Sequence, residues 1–210
     1  MLKKTYTLSA GGLLALAFAA NASAALVVNT GVPAGGGSNF PYALDSMDFY
    51  AGQVNFTQAS KIQSIFASLA GGAAGETFTV ALYDNAPANL PGNELYSATA
   101  TYGSDGWNGV SGLTGWNVNA SSYWVAFEIG FNDTLGSSSV TGALLPSGAP
   151  SPLARTAFSD GFGYQASAHP LSFGVQVDAV AAVPEPETYA MMLAGLGMLG
   201  WLARRRKTVA

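Results

Sequence analysis

Three runs of the chain alternate cleanly between apolar and polar side chains, which is the pattern of strands buried on one face. Over Thr77–Tyr83, Phe78, Val80 and Leu82 share a face against Thr77, Thr79 and Tyr83. Over Tyr123–Ile129, Tyr123, Val125, Phe127 and Ile129 oppose Trp124, Ala126 and Glu128. Over Leu171–Asp178, Leu171, Phe173, Val175 and Val177 oppose Ser172, Gly174, Gln176 and Asp178. Leu26–Asn29, Gln53–Thr57, Ile62–Leu69, Glu94–Thr101 and Leu113–Val118 carry weaker versions of the pattern. Turn-forming stretches separate these runs: Asp84–Gly92 with Pro87 and Pro91, Gly103–Gly109, and Asn132–Ser139. Pro33–Ser38 and Gly136–Pro152 read as irregular, and no interior stretch has the period of a long amphipathic helix. Many short strands with such punctuation predict an all-β fold, a single antiparallel β-sandwich or jelly roll over residues 25–182. Phe78, Val80, Leu82, Val125, Phe127, Phe173 and Val175 are its expected common core.

The two ends of the chain break this pattern. Lys3 and Lys4 precede the apolar stretch Leu8–Ala20, and Ala22-Ser23-Ala24 supplies small residues at the A-x-A positions. That is the layout of a secretory signal peptide, here a helix over residues 1–24, which implies export by the Sec machinery and cleavage between Ala24 and Ala25. At the other end, Thr188–Ala203 holds no charged residue and is followed by Arg204, Arg205, Arg206 and Lys207. This predicts a transmembrane helix with a basic stop. At ~1.5 Å per residue its 16 residues reach roughly 24 Å, short of the ~30 Å hydrocarbon core unless snorkelling arginines or local thinning make up the difference. Gly195–Gly200 matches G-x-G-x-x-G, yet no strand precedes it and no βαβ unit surrounds it, so it is not read as a dinucleotide site.

Charge separates the same three parts. Residues 25–182 hold ten acids and only two bases, Lys61 and Arg155, a formal charge of 2 − 10 = −8. Basic clusters beside apolar segments stay in the cytoplasm, which places the acidic body across the membrane. An acidic body lacks the positive footprint that a phosphate backbone requires, so nucleic acid is not an expected partner. The chain has no cysteine, and a body of this size buries enough apolar surface to fold without disulfides.

Val183-Pro184-Glu185-Pro186, the Gly/Leu/Ala-rich apolar segment and the arginine cluster stand in an order that closely resembles the PEP-CTERM sorting signal of Gram-negative, exopolysaccharide-producing bacteria. The resemblance implies residues 183–207 as the signal, an exosortase-like membrane protease as partner, and a transient anchor in the inner membrane. It implies a final site on the cell surface or in the extracellular matrix, with exopolysaccharide nearby. The body is similar, more loosely, to choice-of-anchor sandwich domains of bacterial surface proteins. That similarity rests on Val80–Asn85, the Leu90-Pro91-Gly92 turn with Glu94-Leu95, and Ser122–Ala126. It bears on fold rather than activity.

Candidate chemistry is sparse. His169 is the only histidine, lies before Pro170, and has no G-x-S-x-G serine to serve. No catalytic residue and no cofactor is expected. Asp45 with Asp48, Asp84 with Asn85, and Asn132 with Asp133 fall in turns, leaving a structural calcium as an alternative use of their oxygens. Trp107, Trp116 and Trp124 are expected to pack in the fold, the alternative being that they stack on sugar rings. A non-enzymatic structural or interaction protein of the surface or biofilm matrix is the leading reading. A carbohydrate-binding module is the second, and a glycoside or ester hydrolase the third.

Overall fold

The computed structural model describes residues 24–31, 42–136, 143–144, 153–167, 173–182 and 192–200. The expected signal helix, His169, Asn132–Ser139 beyond residue 136, Pro33–Ser38, Val183–Pro186 and Arg204–Lys207 lie outside them. The described residues are all-β apart from one short helix, and every strand pairing among them is antiparallel.

Thirteen strands are described: β1 (Ala25–Asn29), β2 (Tyr42–Ala43), β3 (Asp48–Phe56), β4 (Ser60–Ala70), β5 (Thr77–Asn85), β6 (Pro91–Thr101), β7 (Gly106–Ser111), β8 (Asn117–Val118), β9 (Ser121–Glu128), β10 (Ala143–Leu144), β11 (Thr156–Asp160), β12 (Tyr164–Ala166) and β13 (Val175–Ala181). One sheet runs β1-β13-β4-β10-β2, with β7 and β8 also paired to β4. The other runs β12-β11-β3-β9-β5-β6. The two sheets share one core, and all seven expected core residues lie in it at 0% exposure.

The weak alternation of Ile62–Leu69 has a physical cause. In β4, Ile62 and Ile65 are both buried although three residues apart, which an unbroken strand would place on opposite faces. The pairing with β13 slips between Asp178 and Ala179, which oppose Ser64 and Ile62, so Gln63 is an extra residue. This bulge reverses the phase and turns both isoleucines inward.

Two expectations are corrected. Gly103–Gly109 is not wholly a turn, because β7 begins at Gly106 and pairs with β4. A Cβ on Gly109 would sit 2.1 Å from the Ile65 carbonyl oxygen, so this glycine permits close strand approach rather than a bend. Leu113–Val118 is strand only at Asn117–Val118, because the chain turns at Gly112 and Gly115, both with positive φ. The helix α1, at 192–200, covers nine of the sixteen residues expected to span the membrane, ~14 Å of rise. Among the described residues no helix is long and apolar enough to cross a membrane.

The registers define two ends, separated by roughly 30 Å, the length of a nine-residue strand such as β3. One end carries the start of β1, the β3–β4 turn and the end of β13, where the Ala182 amide donates to the Ala59 carbonyl at 2.9 Å. The other carries the start of β3 and the ends of β9 and β11. Seven of the ten acids, Asp45, Asp48, Glu76, Asp105, Glu128, Asp133 and Asp160, lie at or beside this far end. Lys61 and Arg155 lie toward the first, with Asp84, Glu94 and Asp178.

Candidate functional site

The outer face of the six-stranded sheet is built on alanine. Ala157 on β11, Ala51 on β3, Ala126 on β9 and Ala81 on β5 stand side by side in register, all fully buried. A row of methyl groups leaves a shallow trough across four strands, and larger side chains fill it. Trp124, Tyr83, Leu90 and Tyr164 pack on this row as a second apolar cluster, separate from the inter-sheet core. Leu90 comes from the turn after β5, held by the Ala86 amide donating to the Leu90 carbonyl and by Asn89 in a left-handed conformation (φ 54°).

Trp124 therefore has no ring face in solvent; its exposure is 0%. Its Nε1–H donates to Asn85 Oδ1 at 2.9 Å, an oxygen that also accepts from Gln53 Nε2 at 2.8 Å. Trp116 is buried in the inter-sheet core and stacks on Tyr96 at 5.3 Å. For Trp116 and Trp124 the packing reading holds and the sugar-stacking alternative does not, because a ring buried on both faces cannot receive a sugar. Trp107 is half-buried opposite Ser68, its ring lying over Gly174. Of these three tryptophans it alone is not buried.

Beside the alanine row, one carboxylate gathers two phenols from opposite sides of the sheet. Tyr83 Oη donates to Glu128 Oε1 at 2.9 Å and Tyr164 Oη to the same oxygen at 2.5 Å, the rings meeting edge to face at 5.7 Å. Burial pushes the Glu128 carboxyl above its ordinary 4.5, against the two phenol bonds that favour its charged form. Burial and the Glu128 charge raise both phenols, so they remain donors. The cluster ties the β11–β12 hairpin to β5 and β9. Nothing in the sequence joins residues 83, 128 and 164, and only the pairing of their strands brings them together.

The sign of this shift gives a testable result. A carboxyl with a raised folded value stabilises the fold below its unfolded value, and that contribution is lost as pH rises from about 4.5 through the raised value. Glu128→Gln retains an acceptor for a phenol and carries no charge. Its thermal stability is expected to depend less on pH than the parent's over that window, and to match or exceed it at pH 7. An unchanged pH profile would show that the buried charge is not strained.

The turn carboxylates serve their own backbone. Asp45 Oδ1 accepts from the Met47 and Asp48 amides, Asp84 from the Asn93 amide and side chain, and Asp133 Oδ2 from Thr79 Oγ1 and the Gly130 amide. Asp48 lies opposite Asp160 in register, and burial, Asp45 and Asp160 together raise its carboxyl above the usual range. Among the described residues, no three His, Cys, Asp or Glu side chains converge as a metal site.

What distinguishes this chain is how the fold hands over to its tail. The last strand ends at Ala181, and Ala182 is still bonded to the β3–β4 turn. Residues 182–207 match the PEP-CTERM protein-sorting motif. The PEP-CTERM match thus starts on the residue that closes the fold. It marks the chain as an exported protein sorted by exosortase, a membrane protein, and directs C-terminal attachment to the cell envelope. No curated protein matches the chain.

Proposed function

We propose that this is a cell-surface or extracellular-matrix protein of an exopolysaccharide-producing, Gram-negative cell, acting by structure or interaction and not by catalysis. The observation that carries the reading is the PEP-CTERM motif at 182–207, continuous with the last strand of the body. Two antiparallel sheets around one core support a β-sandwich body, of the kind that surface proteins display. The non-catalytic part draws support from the use already made of its polar groups. Glu128 is engaged by two phenols, and the turn carboxylates by backbone amides.

In this reading residues 1–24 are removed on export, Thr188–Ala203 holds the chain briefly in the inner membrane, and Arg204–Lys207 stays cytoplasmic because moving such a cluster through hydrocarbon is unfavourable. Pro184 and Pro186 disfavour a helix through the motif, which suits a protease that grips its substrate extended. Mass spectrometry of surface and extracellular protein from the native host tests this. Mature protein is expected to begin at Ala25 and to lack the apolar segment. Intact peptides spanning Val183 to Trp201 in the mature product would refute processing there.

A further inference from the structure

The small number of residues between the fold and the motif restricts where the protease can stand. From Ala182 to Glu185 is three residues, a reach of at most ~11 Å, and from Ala182 to Thr188 is six, at most ~22 Å. A folded unit of even 100 residues has a radius of gyration of ~13 Å, and so a diameter above ~30 Å. A protease gripping Val183–Pro186 beside the bilayer cannot fit in that gap without touching the folded body.

The end it would meet has a shape to receive it. Beside the end of β13 lies a groove of about 450 Å³, with Val27, Phe56, Ala179 and Ala181 among its lining and Thr57 and Gln58 on the β3–β4 turn at its rim. Val27 is 36% exposed there, on the outermost strand of its sheet. The charges toward this end nearly cancel, Lys61 and Arg155 against Asp84, Glu94 and Asp178 (2 − 3 = −1), whereas seven acids crowd the opposite end. A nearly neutral, partly apolar end can approach a membrane surface and its embedded enzyme with far less repulsion than the far end would meet at anionic lipid.

Resting on the processing proposed above, we infer that this groove is a docking surface for the extracytoplasmic face of the membrane protease that processes the tail. The protease reads the body's end together with the motif, so a folded body is part of the substrate.

The test follows precursor and processed full-length chain over time in cells that contain the protease. Thr57→Glu, on an exposed turn, and Val27→Glu place a charge in the groove, and thermal melting of each purified full chain confirms folding. Processing is expected to slow roughly tenfold in each, as for a charge set into the centre of an interface. Phe162→Ser, at the far end and 89% exposed, is expected to process at the parental rate. Ten Gly/Ser residues inserted between Ala182 and Val183 are expected to return the groove variants to that rate, since the enzyme then has room to stand clear. Groove variants processed at the parental rate, or slowed ones that the insertion does not rescue, overturn docking while leaving the sorting reading intact. A parental chain that keeps its tail overturns both.

Discussion

Trp124→Ala is expected to destabilise the body by about 3–5 kcal/mol, as much as truncating a residue of the central core. The position belongs to the outward face of its strand, where substitutions are ordinarily mild. Here the indole is fully buried on the alanine row beneath Leu90, Tyr83 and Tyr164. Its removal strips apolar contacts from four strands at once and leaves Asn85 Oδ1 without one of its two donors. A denaturant melt of the purified chain measures the loss. A change below ~1 kcal/mol would show that the outer cluster is surface and not core.

Phe127→Ala, three residues along β9 and on the inward face, is expected to cost a similar ~3–5 kcal/mol. Phe127 is fully buried and meets Phe173 edge to face at 6.5 Å, so truncation opens a cavity between the two sheets. Glu128→Ala, one residue on, removes a partly exposed carboxylate and is expected to be far milder. The ranking of the three variants in one melt series is the check. A Glu128→Ala loss equal to that of Phe127→Ala would mean that the phenol pair, and not the core, secures the strand.

The sequence made the inner face legible and the outer face obscure, for reasons visible in particular residues. Phe78, Val80 and Leu82 alternate with polar neighbours, and β5 forms where they do. In Tyr123–Ile129 the same alternation located β9 but implied that Trp124 and Ala126 face water, and they are as buried as Val125 and Phe127. Alternation reports one buried face only, and alanine looks neutral until its neighbours in register prove to be alanine too. β11 was missed because Ala157 and Ser159, its buried positions, are too small to mark a strand. The Glu128 cluster joins residues 83, 128 and 164 and left no local signal. The sorting tail was legible in full because it is read as a linear motif and depends on no partner far along the chain.

The uneven distribution of acids has a consequence for a population of these molecules. With seven carboxylates at one end and a net charge of only 2 − 3 = −1 toward the other, the body's charge is strongly lopsided. Standing side by side on one surface, such bodies would point their acidic ends toward the same side and push their neighbours apart. In dilute fresh water, near 0.01 M ions, that push reaches ~30 Å, about the body's own length; at 0.15 M it fades within ~8 Å. A layer of them would stand open in fresh water and close up in brine, its porosity set by the salt outside the cell.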